Sequence, residues 1–338
     1  SWRADPRSRR EGLVHAQQAQ LLRGETRDVL GRIDVPEVGS ALTQLAEDVL
    51  EATIELADPQ VPFAVIAMGR FGGTELAYAS DLDVLLVFDP AGRPDGPASG
   101  LAAAGALLRL VKGETPALRL YTLDTDLRPE GRQGPLARSL GSYAAYYLRW
   151  AQPWERQALL RGRFAAGDPD VGARFAEVAE RFIWERPFTE EDAREIRRTK
   201  ARVERERIPA GEDPEFHLKL GRGSLSDVEW TAQLLQLRHG VRATATLAAL
   251  DALGAGGFLD PDDHAALAEA YRFCELARNR LFLVRGVPGD SLPSTGPTLS
   301  ALARSLATTP TDLREDYRRV TRRSRRVMER LFYGRSVG

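Results

Sequence analysis

The sequence predicts an α+β protein with a helical lead, a middle segment built around a small sheet, and a helical bundle at the end. Three observations carry this prediction. Apolar residues recur at helical spacing over 10–57 and through most of the chain beyond residue 168. Short apolar runs, partly β-branched, break that pattern only between residues 63 and 124. Glycine- and proline-containing turns bracket those runs. The 338 residues suffice for about two domains, and 43% hydrophobic with 28% charged residues is the mixture of an ordinary globular chain.

The elements follow in order. Leu13, Ala16, Ala19 and Leu22 mark a first helix, and Leu42, Leu45, Val49, Ala52 and Leu56 a second, with a break over 31–39 around Pro36. After Pro62 the run 63–68 reads as a buried strand, 69–73 as a glycine-rich turn and 81–88 as a second strand. Residues 90–100 form a loop, 101–110 a helix and 118–124 a third strand. Over 142–163 the spacing is helical, with Tyr143, Tyr146, Tyr147, Trp150 and Trp154 in one stripe that reads as core. Five further helices are expected at 171–184, 190–205, 226–238, 262–284 and 311–332.

Composition excludes several functions. The 47 basic and 48 acidic residues nearly cancel, so net charge points to neither a nucleic-acid nor a membrane partner. Of the basic residues only Lys112, Lys200 and Lys219 are lysine, a bias that reads as high-GC coding. Cys274 stands alone, which excludes an internal disulfide or a thiolate cluster, and His15, His217, His239 and His264 form no constellation. No apolar run approaches a membrane span and no signal-peptide core precedes the first helix, so a cytoplasmic location is expected. A P-loop is excluded by the lack of Gly-Lys-[Ser/Thr], and protein-kinase motifs are missing too.

The chemistry concentrates in Gly69-Arg-Phe-Gly-Gly-Thr-Glu-Leu-Ala-Tyr-Ala-Ser-Asp-Leu-Asp83. On a strand, residues i and i+2 share a face, so Asp81 and Asp83 project side by side. Paired carboxylates repel and favour a hard cation such as Mg²⁺. Gly72 and Gly73 leave a bare turn that phosphate oxygens can approach, and Ser80 adds a hydroxyl. A third carboxylate is expected at the end of the third strand, where Asp124 and Asp126 stand, followed by a turn carrying Arg128 and Arg132. Such a set suits nucleotidyl transfer, in which metals clamp an in-line displacement. The alternative is that Asp-x-Asp merely caps turns at a strand boundary.

These residues resemble the signature of the glutamine synthetase adenylyltransferases, members of the DNA-polymerase-β-like nucleotidyltransferase superfamily. The resemblance continues at Leu123-Asp-Thr-Asp-Leu-Arg-Pro-Glu-Gly131, at Trp154-Glu-Arg-Gln-Ala-Leu-Leu-Arg-Gly-Arg163 and at Lys219-Leu-Gly-Arg-Gly-Ser-Leu-Ser-Asp-Val-Glu-Trp230. It implies a nucleotidyltransferase domain with a small mixed sheet over 57–212, flanked by a helical segment over 1–56 and a bundle over 213–338. It implies Asp81, Asp83 and Asp124 as catalytic metal ligands, with Mg²⁺ as cofactor and ATP as co-substrate. Gly69, Arg70, Gly72, Gly73, Ser80, Arg128, Arg161 and Lys219 form the nucleotide-contacting set. For Arg161, as for Arg163, surface or intrahelical pairing stays open as the alternative.

Family members carry two catalytic halves, one attaching AMP to a tyrosine of glutamine synthetase and the other removing it by phosphorolysis. Gly223-x-Leu-x-Asp-x-Glu229 and the ending Arg-Val-Met-Glu-Arg-Leu-Phe-Tyr-Gly334 resemble the C-terminal, adenylylating half. In the N-terminal half an Arg tends to replace the Asp. Expected partners are glutamine synthetase, a PII-type signal protein and the other half, in the control of nitrogen metabolism. The alternatives are the adenylyl-removing half, or a non-catalytic module binding a nucleotide or signal protein. Two further features stay open. Asp227 and Glu229 fit either a site or a helix start, since Ser226-Asp-Val-Glu229 reads as a capping box. The arginines over 318–326 read as a solvated helix face, with a docking patch for an acidic partner as the alternative.

Overall fold

The structure, a computed structural model, describes residues 5–206, 208 and 212–335, so residues 1–4 of the expected N-terminal segment lie outside it. Packing separates two units. One takes the chain up to Leu76 together with Ser80–Arg186, the other Ala77–Ala79 together with the residues from Pro187 onward.

In the first unit, α1 (Pro6–Val29) starts at Asp5, whose carboxylate accepts the Ser8 N–H at 3.1 Å. α2 (Val35–Ala57) starts in a reciprocal cap. Asp34 accepts the Glu37 N–H at 2.9 Å and Glu37 accepts the Asp34 N–H at 2.8 Å. The expected break over 31–39 therefore ends at residue 34. Pro36 lies in the first helical turn, where its missing N–H costs nothing. α2 buries Leu42, Val49, Leu50 and Ile54.

β1 (Phe63–Ala67) and β2 (Leu82–Phe88) are buried at every position except Asp83, which reads as a continuous apolar run because both faces are covered. They pair antiparallel from Phe63 opposite Phe88 to Ala67 opposite Val84. Between them lies α3 (Gly69–Gly72), a single turn. After α4 (Gly96–Lys112) the third strand is shorter than expected. β3 is only Leu123–Asp124: Pro116–Leu118 makes a 3₁₀ turn, and the Leu120 N–H then bonds to the Val111 carbonyl at the end of α4 rather than to a strand. β3 runs parallel to the start of β2, and β4 (Arg138–Ser139) parallel to its end. α5 (Leu140–Arg149) and α6 (Pro153–Leu159) lead to β5 (Arg163–Gly167), antiparallel to β1 on its other edge. The sheet order β3-β2-β1-β5 is mixed, as the resemblance implied. α7 (Pro169–Trp184) packs on β1, β2 and β5.

The single helix expected over 142–163 is a correction. Pro153 opens a new helix and residues from 163 join the sheet, so the helical phase is lost after Arg149. Tyr143 and Tyr147 remain core, edge-on to Phe175 at 5.2 Å and stacked on Phe182 at 4.9 Å. Trp150 instead caps α5 and is 70% exposed.

The second unit is a helical bundle comprising α8 (Glu190–Glu206), α9 (Leu225–His239), α10 (Thr246–Ala255), α11 (Pro261–Arg285), α12 (Gly296–Ser305) and α13 (Pro310–Leu331). Its core includes Phe216, Leu235, Leu267, Tyr271, Cys274, Tyr317 and Val320. Tyr78, from the short Ala77–Ala79 piece, stacks on Phe282 of α11 at 5.9 Å. No described helix is long and apolar enough to cross a membrane.

The start of α9 differs from the expected capping box. Its N-cap is Ser224, and Ser226 lies inside the helix, where its hydroxyl accepts from the Lys200 ammonium at 3.1 Å. Asp227 takes the structural role. Fully buried, it meets Lys200 Nζ at 2.7 Å and Arg325 Nη1 at 2.8 Å, and it accepts the Gly223 N–H at 2.6 Å. Burial pushes its pKa up, but Lys200, Arg325 and the Gly223 N–H outweigh that and hold it below the usual carboxylate range.

Removing one member of a buried ion cluster strands the others, at a cost of about 3–5 kcal/mol. Asp227→Asn should therefore lower unfolding stability by about that much in chemical denaturation. Because the folded-state pKa lies below the unfolded value of about 3.9, the contribution is complete above that value. It is lost as pH falls through the folded-state pKa, so wild type and variant should converge in strong acid. A gap that persists below the folded-state pKa would mean that packing, not charge, carries the effect.

Candidate active site

The glycine turn, the start of β2 and the end of β3 form the candidate site of the first unit. Met68 N–H donates to the Asp83 carbonyl at 2.9 Å, carrying the β1–β2 pairing one residue beyond Ala67. The chain then turns at Gly69, whose φ of +52° is costly for a residue with a Cβ. Space matters there as much as φ. A Cβ on Gly69 would collide with the Asp83 carboxylate, with Cγ at 3.0 Å. Asp83 can keep its side chain against the turn only because Gly69 has none.

Gly72 and Gly73 serve the turn from within. Their N–H groups donate to the Met68 and Gly69 carbonyls at 2.7 and 3.0 Å. A Cβ on Gly72 would overlap the Arg161 carbonyl oxygen and stand 2.8 Å from that of Ala67. Arg163 donates to the Gly72 and Phe71 carbonyls at 3.1 and 3.2 Å and pairs with Glu47. Arg161 is buried, pairs with Glu75 at 3.1 Å and reaches the Gly69 carbonyl at 3.5 Å. Both arginines thus brace the turn through its carbonyls, by pairing that is neither at the surface nor within one helix. Arg70 is buried in the same turn.

Across the sheet, Leu82 pairs with Leu123 and Asp83 with Asp124 in parallel register. Neighbouring strands lie about 4.8 Å apart, so this register sets the two carboxyl-bearing residues side by side. Asp81, two residues before Asp83, is exposed at the entry to β2, and Ser80 before it is half-buried. Asp124 accepts the Asp126 N–H at 2.8 Å. Asp126 is claimed by Arg132 at 2.8 Å and by Arg128 at 3.7 Å, which suits it to the turn rather than to a metal. Arg128 itself donates to the Thr125 carbonyl and hydroxyl at 2.8 and 2.9 Å, shaping the turn after β3. Lys219 belongs to the second unit, where it lies near Asp290 and His217.

Among the described residues no three acidic, histidine or cysteine side chains converge into a ready metal cluster. The donor chemistry nevertheless fits Mg²⁺. Asp81, Asp83 and Asp124 offer hard oxygens at one end of two paired strands, and neither Asp81 nor Asp124 has an ion-pair partner among the described residues. Glu47 and Glu75 hold the bracing arginines; Glu47 belongs to no motif, and Glu75 lies within the 69–83 stretch, where no spacing links it to Arg161.

The two glycines should respond differently to alanine. Gly72→Ala should unfold the first unit, because the overlap is with backbone that cannot step aside. Gly69→Ala meets a movable side chain and should cost about 1–2 kcal/mol for the left-handed φ. Thermal melting with limited proteolysis distinguishes the two outcomes; equal losses would show that Asp83 is not free to yield.

Comparison with known proteins identifies the family. The family model described as glutamate-ammonia ligase adenylyltransferase matches residues 4–178, and one described as GlnD PII-uridylyltransferase matches 190–332. A bifunctional glutamine synthetase adenylyltransferase/adenylyl-removing enzyme of Streptomyces avermitilis is 46% identical over 319 residues, covering 88% of this chain and 32% of that protein. Proteins of the same name from Mycobacterium avium and Mycobacterium leprae are 43% and 44% identical, over 97% and 93% of this chain and 35% and 33% of theirs. The chain spans about a third of the length of these relatives. With the family model matching more than half of its residues, the chain belongs to the glutamate-ammonia ligase adenylyltransferase family.

Proposed function

We propose that this chain carries one nucleotidyl-transfer centre, which moves AMP from ATP to a tyrosine of glutamine synthetase and releases pyrophosphate. One observation carries the proposal: the parallel register of Asp83 with Asp124, with Asp83 seated against the Cβ-less Gly69. Asp81, Asp83 and Asp124 would hold Mg²⁺, which when bound neutralises triphosphate charge and aligns the α-phosphorus. Arg70 and Ser80 serve the nucleotide from the turn and the strand entry. Gly69, Gly72, Gly73 and Arg161 keep the turn compact, and Arg128 orders the loop that follows Asp124.

In the reaction the tyrosine oxygen bonds to the α-phosphorus as the bond to the β-phosphate bridging oxygen breaks. A tyrosine hydroxyl with a pKa of about 10 is a poor nucleophile at neutral pH. Asp124, at the strand end beside Asp83, is the carboxylate we assign to accept its proton during transfer.

The choice of attachment over removal rests on the motif around Asp227. That carboxylate sits between Lys200 and Arg325, and an arginine in its place would bury a third cation beside them. The aspartate form, similar to the adenylylating half, is thus built into this unit's charge balance. The match of 190–332 to a model named for PII-uridylyltransferase supports a regulatory link to a PII-type signal protein.

The purified chain, given glutamine synthetase, Mg²⁺ and ATP labelled in the α-phosphate, should leave AMP on the synthetase. Asp83→Asn should retain the wild-type melting temperature and lose at least about 100-fold in rate, as expected for a lost electrostatic contact to the transition state. Chelation should abolish transfer. ADP formed from pre-adenylylated synthetase and phosphate, with no attachment, would reverse the direction while keeping the site. Full activity of Asp83→Asn would remove the site itself.

A further inference from the structure

The second unit contains a groove of about 680 Å³ whose walls are rich in arginine. From α13 come Arg318, Arg322, Arg325 and Arg326, at spacings that put them on one side of the helix. Arg222 adds a cation from the turn before α9, and Arg205 one from the end of α8.

Part of this charge is already answered. Arg325 meets Asp227 at 2.8 Å, Glu329 at 3.1 Å and Glu204 at 3.2 Å. Arg222 shares Glu329 at 3.2 Å, Arg318 pairs with Glu215 at 3.0 Å, and Lys200 takes Asp227 and Glu204 from behind. Four cations and four carboxylates balance. Arg205, Arg322 and Arg326 remain, exposed and with no ion-pair partner among the described residues. A helix face that merely needed solvation would not require a concave wall, nor a guanidinium pinned by three carboxylates at its floor. Arg325 is so pinned, with its side chain only 12% exposed. Pro214 and Leu220 add apolar surface to the same wall.

We propose that this groove binds a phosphorylated small molecule of nucleotide size carrying at least three negative charges. Guanidinium groups match phosphate oxygens with paired hydrogen bonds, and three unanswered cations set the charge. The volume lies within the range of small-molecule sites and is far larger than one phosphate fills. A floor already fixed by ion pairs lowers the ordering cost of binding. The proposal does not depend on the Asp83 site, because every residue it uses belongs to the second unit.

The test uses the whole chain, freed of divalent ions on a chelating resin and held at low salt, with inorganic tripolyphosphate as the probe in titration calorimetry. Saturable binding at one site is expected, weakened by added salt and retained in Asp83→Asn. Arg322→Gln/Arg326→Gln should weaken it by at least about tenfold, two charge-assisted contacts being lost. Arg322→Lys/Arg326→Lys should keep most of it, which guards against a folding defect in the glutamine pair. Arg304→Gln, an exposed arginine of α12 away from the groove, should change nothing. No saturable binding, or equal loss in Arg304→Gln, would overturn the proposal. So would a glutamate-rich peptide that displaces the probe at lower concentration, since the groove would then serve an acidic protein segment.

Discussion

The first unit is organised around one close approach, in which the carboxylate of Asp83 rests against a glycine with no side chain in its way. Every neighbouring feature protects that contact. The antiparallel pairing of β1 and β2 brings Gly69 to the strand entry, and Met68 extends the ladder to Asp83 itself. Arg161 and Arg163 fasten the turn by its carbonyls, with Glu75 and Glu47 fixing the arginines in turn. The parallel register of β2 and β3 then decides which carboxylate stands next to Asp83. A slip of one residue would turn Asp124 to the other face.

The two units handle charge in opposite ways. In the second, Asp227 is buried and answered from both sides, so it contributes stability and order rather than reactivity. In the first, Asp81 stays exposed at the entry to β2, and Asp83 stands in register with Asp124 of the neighbouring strand. Sequence motifs of similar appearance, Asp-x-Asp at 81–83 and Asp-x-Glu at 227–229, therefore do different physical jobs.

Much of this was legible in the residues alone. The short apolar runs 63–68 and 84–88 read as strands and are strands, but β2 begins at Leu82, so Asp81 lies just outside the strand that the i, i+2 rule assumed for it. Strong helical periodicity marked α7, α8, α9, α11 and α13 to within a few residues. Where local signals conflicted, the reading slipped. The aromatic stripe hid the new start at Pro153, so Trp150 was assigned to a core it does not join. The Ser-x-x-Glu pattern at 226–229 mimicked a cap although the helix had already begun.

Fold class, candidate carboxylates and family signature could be read from the residues, because these rest on periodicity and on short fixed spacings. Which side chains those residues meet depends on how the chain folds back on itself. That Gly72 is needed for its missing Cβ rather than for a free N–H follows from the Arg161 carbonyl, 89 positions along the chain. The burial of Asp227 follows from Lys200 and Arg325, supplied by two other helices. Partners so distant along the chain leave no local pattern, since their meeting is set by how strands and helices pack and not by any spacing between neighbours.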